Sequence, residues 1–178
     1  MSRMYGDRIV LREPRWEDLP DVHAWMNDGA TAAFLGGRFT GPQTWEQAEL
    51  YLRDLLEGGA GGVHFAVAEP ETLAYLGEIA LTGVDAAART ARLTVVLRPD
   101  CRGRGYGTEA VRLALRYAFD SMNLQRVSLR VHADNRAAIR AYEKAGFARE
   151  GCLRREAYRA GVYVEVLVMG VLREEFQG

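Results

Sequence analysis

Apolar residues recur along this chain with two different periods, and the places where the period changes outline its elements. Residues 9–14, Ile-Val-Leu-Arg-Glu-Pro, predict a short strand stopped by proline. Trp16, Leu19, Val22, Trp25 and Met26 then fall at helical spacing, predicting a helix over 16–28 whose tryptophans pack into the core. Residues 34–42, with Gly36, Gly37 and Gly41, predict a loop, and Thr44 is placed to cap a second helix, 45–57, ended by Gly58 and Gly59. Two strands follow at 63–68 and 73–81, separated by Pro70-Glu71, and a turn at 85–90 leads to a strand at 91–97. From Thr108 to Phe119 the polar positions Glu109, Arg112, Arg116 and Asp120 lie three to four apart, leaving an apolar helical face. Residues 126–132 alternate polar and apolar, a short amphipathic helix follows Asn135, and strands 147–157 and 163–172 pair around Ala160-Gly161. The predicted order, β-α-α-β-β-β-α-β-α-β-β, gives a mixed α/β (α+β) sheet with helices on both faces, in a single domain spanning 1–178.

Composition narrows the function classes without choosing among them. The 178 residues are 48% hydrophobic and 26% charged, ordinary values for a globular chain with a substantial core. A net charge of −1 gives no reason to expect nucleic acid as partner. No apolar run approaches the roughly 18–20 residues that span a bilayer, and residues 1–8 lack the apolar centre of a signal peptide, so no membrane association and a cytoplasmic location are expected. The two cysteines, Cys101 and Cys152, form no disulfide framework, and His23, His64 and His132 are too scattered for a metal site.

Candidate chemistry concentrates in two segments. Residues 93–107 read LTVVLRPDCRGRGYG: an apolar strand, a basic glycine-rich loop, then a helix start. Free N–H groups at that helix start, the positive end of its dipole and the guanidinium groups of Arg102 and Arg104 make an anion site suited to a diphosphate. The loop has no GxxxxGK[ST] run. Gly103, Gly105 and Gly107 give GxGxG rather than the dinucleotide fingerprint, although a nucleotide-binding protein stays open on the loop alone. The second segment, residues 134–147, reads DNRAAIRAYEKAGF. It sets Asn135 and Tyr142 on one helical face two turns apart, roughly 10 Å by the helical rise.

The hexapeptide Arg102-Gly103-Arg104-Gly105-Tyr106-Gly107 matches [Q/R]-x-x-G-x-[G/A], and Asn135 to Phe147 matches N-x-x-A-x-x-x-Y-x-K-x-G-F. In that order and spacing they resemble the GNAT superfamily of acyl-CoA-dependent N-acetyltransferases. The opening LREPRWEDLPDVHAWMND resembles its branch of ribosomal-protein N-terminal (RimJ/RimL-like) and spermidine acetyltransferases. The resemblance implies a GNAT-type, mostly antiparallel central sheet and acetyl-CoA as co-substrate, with no metal. It implies that the diphosphate rests on Arg102, Gly103, Arg104, Gly105, Tyr106, Gly107 and Thr108. The pantetheine arm and thioester oxygen then meet backbone N–H groups at Val95, Val96 and Leu97, where the strand splays from its neighbour. Asn135 is the implied cofactor contact and Tyr142 the acid that protonates the departing sulfur. The partner is an amine acceptor, either a small molecule or a peptide N-terminus, attacking the thioester directly; a homodimer stays open.

The general base is not legible. Members of this branch often read A-E-[LF] where this chain has Ala91-Arg92-Leu93, so a cation stands in place of the acid. Arg92 either disfavours a polyamine and favours an acceptor bearing a carboxylate, or pairs with a carboxylate such as Glu78. Glu78, Asp134 and Glu165 remain as candidate bases. The missing acid also leaves open a non-catalytic acyl-CoA-binding or sensing domain.

Overall fold

The computed structural model describes residues 3–35, 41–58 and 61–178. Among the described residues eight strands form one sheet: β1 (Met4–Tyr5), β2 (Val10–Arg12), β3 (Gly62–Ala68), β4 (Tyr75–Asp85), β5 (Thr90–Leu97), β6 (Arg126–His132), β7 (Ala148–Arg159) and β8 (Val162–Leu172). Their order is β1-β2-β3-β4-β5-β6-β8-β7. Every pairing is antiparallel except β5 with β6, which is parallel. The helices are α1 (Leu19–Met26), α2 (Gly29–Leu35), α3 (Trp45–Leu56), α4 (Tyr106–Arg116) and α5 (Arg136–Lys144).

Strand alternation sorts the core into two layers. Ile9, Leu11, Phe65, Val67, Ile79, Leu81, Ala91 and Leu93 pack one sheet face against Ala110, Val111, Ala114 and Leu115 of α4 and Ile139 and Tyr142 of α5. On the other face Ala66, Tyr75 and Val96 meet Leu19, Val22 and Trp25 of α1 and Ala48 and Leu52 of α3. The expected mixed, mostly antiparallel sheet with helices on both faces is therefore what forms. Thr44 caps α3 as predicted, its hydroxyl accepting the Gln47 N–H while the Gln47 side chain accepts the Thr44 N–H.

Three readings of the pattern need correction. The helix expected over 16–28 begins as a 3-10 turn, Trp16–Asp18, because Asp18 is drawn inward to the Arg12 guanidinium. That ion pair, at 2.6 Å, is almost wholly buried and Arg12 also donates to the Leu73 carbonyl. The turn leaves Trp16 about half exposed under Arg53, while Trp25 enters the core as expected. The loop expected at 34–42 starts late: residues up to Leu35 belong to α2, whose entry is fixed by the Asp28 carboxylate accepting the Thr31 N–H at 2.8 Å; residues 36–40 lie outside the described residues. The helix after the glycine loop begins at Tyr106, two residues before Thr108, and ends in one wider turn, Tyr117–Ser121. In that turn Met122 N–H reaches the Tyr117 carbonyl at 3.1 Å.

Candidate active site

The site begins where the sheet opens. β5 and β6 are paired only at Thr90–Arg126, Ala91–Val127 and Arg92–Ser128, although β5 continues to Leu97 and β6 to His132. Past Arg92 the two parallel strands part and leave one edge of β5 free. Antiparallel pairing sends successive amides to opposite sides. Since Arg98 N–H bonds the Leu76 carbonyl at 2.9 Å, Val96 and Thr94 also face β4, and Val95 and Leu97 face the gap. Of the three amides expected to grip an acyl arm, the structure therefore turns two to the opening and keeps that of Val96 within the sheet. The Val96 side chain, 5% exposed, packs on the face covered by α1 and α3.

The glycine loop closes the far end of this edge. Gly103 and Gly105 adopt φ of +74° and +84°, which residues with a Cβ rarely take, and so turn the chain sharply into α4. Gly105 is the N-cap and contributes no side-chain acceptor; the first intrahelical bond runs from Glu109 N–H to its carbonyl. The amides of Tyr106, Gly107 and Thr108 thus form the open helix start that an anion needs. Arg104 is exposed beside them, and its carbonyl is held by the Arg8 guanidinium at 3.0 Å. Arg8 also binds Glu109 through its own backbone and side chain, bracing the loop from the β2 side. Arg102, exposed in part, is also tied back to the protein. Its guanidinium bonds the Leu97 carbonyl at 3.2 Å and the Thr31 hydroxyl, and lies 3.8 Å from the Asp28 carboxylate, so it fastens the loop to α2.

α5 flanks the gap on the opposite side. Asn135 is its N-cap, its side-chain oxygen accepting the Ala138 N–H at 3.2 Å, which leaves the amide NH2 as the group available to a ligand. Tyr142 is 8% exposed, lies edge-on to Phe147, and its hydroxyl has no partner among the described residues. Burial pushes this phenol up to about 12. At the end of β6, His132 presents a buried Nδ1 with no hydrogen-bond partner among the described residues. Burial, then the nearby Arg159 cation, lower its pKa. Phe34 of α2 stands 5.7 Å from the His132 ring with Arg159 4.6 Å above it, and Arg159 pairs with Asp134. α2 therefore touches both lips of the gap, through Thr31 at the β5 end and Phe34 at the β6 end. No sequence periodicity marks so short a helix for that task.

The candidate acids separate by face. Asp134 is committed to Arg159. Glu165 alternates with Leu167, Met169 and Val171 and so lies toward the α4/α5 side, where it lines an open groove with Cys152, Arg154 and Arg155. Glu78 lies opposite Val96, on the α1/α3 side, and accepts a hydrogen bond from the Tyr51 hydroxyl. Burial of its carboxyl raises it to about 7, partly offset by that bond. The suggested Arg92–Glu78 pair does not form: Arg92 lies opposite Thr82, four residues along the ladder, is exposed and makes no ion pair among the described residues.

This donor set suits acetyl-CoA: an open helix start with Arg104 for the diphosphate, a strand edge with two outward amides for the amide-bearing arm, and a protonated phenol for the leaving thiolate. Among the described residues no cluster of His, Cys, Asp or Glu could hold a metal ion, and no helix is long and apolar enough to cross a membrane. Comparison with known proteins agrees. Residues 8–148 match the family described as an acetyltransferase (GNAT) domain. The uncharacterized N-acetyltransferase p20 of Bacillus licheniformis is 26% identical over 180 residues, covering the whole of both chains. The spermidine N(1)-acetyltransferase of Vibrio cholerae is 30% identical over 101 residues, 57% of this chain and 58% of that one. The solved structure of a spermidine N-acetyltransferase from Vibrio cholerae, in complex with CoA and spermine, shares the fold with a TM-score of 0.84. The match covers 96% of this chain and 98% of that one at 24% identity. The chain belongs to the GNAT acetyltransferase family and is an N-acetyltransferase that takes its acetyl group from acetyl-CoA.

Proposed function

We propose that this enzyme belongs to the RimJ/RimL-like and spermidine acetyltransferase branch, works in the cytoplasm, and acetylates amines that carry a carboxylate near the amino group, peptide N-termini among them. The acceptor attacks the thioester directly. Acetyl-CoA supplies an already activated acyl group, so the protein's work is to position, to neutralise charge and to move protons. The Val95 and Leu97 amides, at the free edge of β5, are placed to hold the arm and to meet the oxyanion; one such donor typically contributes on the order of 3 kcal/mol. Tyr142 donates its proton to the departing thiolate.

The observation that carries the acceptor assignment is Arg92. It stands on the face of β5 shared with Val96, at the last paired residue before the strands part, exposed and without an ion-pair partner among the described residues. A guanidinium there repels a polyamine and attracts a carboxylate. CoA release is measured with spermidine and with a peptide bearing acidic residues near its N-terminus, for the native enzyme and for Arg92→Glu. The native enzyme is expected to favour the peptide by tenfold or more in kcat/KM, and the variant to shift toward spermidine. Efficient spermidine turnover by the native enzyme overturns the acceptor assignment.

A further inference from the structure

Amine acetylation needs a group that removes a proton from the incoming ammonium, whose pKa is near 10, on the acceptor side of the thioester. A guanidinium such as that of Arg92 cannot take up a proton, so that group must come from elsewhere. The acceptor side is the α1/α3 face, the face of β5 that carries the exposed Arg92, because Tyr142, which meets the leaving thiolate, comes from α5 on the other. Glu78 is the candidate acid on that face; it stands on β4 directly across the ladder from Val96, the residue between Val95 and Leu97, whose amides turn to the gap. Its carboxyl meets Tyr51 of α3, the helix that walls this side. Beside it lies a cavity of about 10 Å³ lined by Val22, Leu52, Leu55, His64, Ala66 and Tyr75, close to the least volume that one water needs.

We infer that Glu78, oriented by Tyr51, is the general base that deprotonates the acceptor amine. The inference rests on the acetyltransferase reading above. In the step, one ammonium proton passes to the Glu78 carboxylate, directly or through one water, and later to solvent. The freed amine lone pair forms the C–N bond and the C–S bond breaks. Tyr142 gives its proton to sulfur, and the remaining extra proton on nitrogen restores the phenol. No oxidant or further reactant is needed.

The surroundings tune this carboxyl. Facing it are the phenols of Tyr51 and Tyr75 and the His64 imidazole of β3; farther off is Asp18, already paired with Arg12. Burial raises the acid most, Asp18 adds to this, and the Tyr51 bond opposes it, leaving the group at about 7. A base with that pKa is half charged at neutral pH, where it works best.

The test is the pH profile of kcat/KM in the native enzyme, Glu78→Gln and Tyr51→Phe. The native profile should fall on its acid side with a midpoint near pH 7. Glu78→Gln should lose about 100-fold at pH 7 together with that limb, while acetyl-CoA affinity stays within about twofold. Tyr51→Phe removes the bond that lowers the acid, so its limb should move to higher pH, a shift that a purely structural tyrosine does not produce. Folding supplies a second readout. A carboxyl raised from 4.5 to about 7 stabilises the fold below pH 4.5 and loses that contribution as pH rises to 7. Glu78→Gln should therefore gain thermal stability over the native protein between pH 5 and 8. Native activity with Glu78→Gln unchanged in rate and profile overturns the assignment of the base alone. Absence of CoA release by the native enzyme with every amine overturns the function proposed above and this inference with it.

Discussion

Tyr142, the proposed acid, is first of all a core residue. Its ring is part of the packed layer between α5 and the sheet, and only the hydroxyl is left without a partner among the described residues. Burial pushes the phenol up to about 12, so it keeps its proton across the physiological range and is available to a thiolate, a much stronger proton acceptor in a dry site than in water. Tyr142→Phe fills the same space and abandons no hydrogen bond to a described residue. It should fold normally and bind acetyl-CoA with nearly native affinity while turnover falls by roughly ten- to a thousandfold. Calorimetry with CoA beside steady-state rates checks this, and equal rates would reduce Tyr142 to packing. Asn135 is the contrasting case: its oxygen is spent on the α5 cap, so only its NH2 is free to meet a cofactor.

At the scale of the element, the loop and the start of α4 act as one unit whose glycines do different work. Gly105 holds a φ of +84°, and a Cβ there would come within 2.8 Å of the Arg8 guanidinium. Gly107 has no such constraint, its Cβ meeting only Leu97 Cδ1 at 3.4 Å. Gly105→Val is expected to strain the turn, displace Arg8 and lower both stability and CoA affinity. Gly107→Val is expected to weaken CoA binding tenfold or more with a melting temperature within a few degrees of native, because its side chain stands among the amides that the diphosphate needs. Thermal melts and CoA titrations of both variants separate the two roles; normal CoA binding by both would remove the diphosphate from this loop. The helix preceding α3 illustrates the opposite limit. Seven residues, Gly29–Leu35, are too few to show a period, and α2 is held by Asp28 at its start, Arg102 beside it and Phe34 against His132.

Across the whole molecule, the sheet face that carries Glu78 depends on how α1 and α3 are seated, and the entrance of α1 is tied to the buried Arg12–Asp18 pair. Arg12 on β2 holds Asp18 with two bonds, at 2.9 and 2.6 Å, and reaches the turn before β4 through the Leu73 carbonyl. Removing one partner strands a charge in the interior. Asp18→Ala should therefore cost about 3–5 kcal/mol in urea unfolding, whereas Arg12→Met with Asp18→Leu should recover much of the loss. If Asp18→Ala costs less than about 1 kcal/mol, the pair is not what anchors the α1 entrance.

The order of elements, the glycine loop at a helix start and the Asn135–Tyr142 face were legible in the sequence because each is a local regularity. Alternation, helical spacing, a cap residue and consecutive glycines all act over a few residues, so the chain reads them directly. The amides of Val95, Val96 and Leu97 were legible only as a group, since which of them face a ligand depends on hydrogen bonds to β4 and on the place where β6 departs. Arg102 read as an anion ligand; that it also straps the loop to α2 was not legible, because Thr31 and Asp28 lie some seventy residues away in the chain. Glu78 read as one acid among three. Tertiary structure separated them, setting one carboxyl beneath Tyr51 across the ladder from Val96, pairing another with Arg159 and leaving the third on the opposite face of the sheet. Local physics thus determined the order of elements and the glycine loop at a helix start; the surroundings of each candidate acid were decided by contacts between distant segments, because burial and charge at a site depend on everything packed around it.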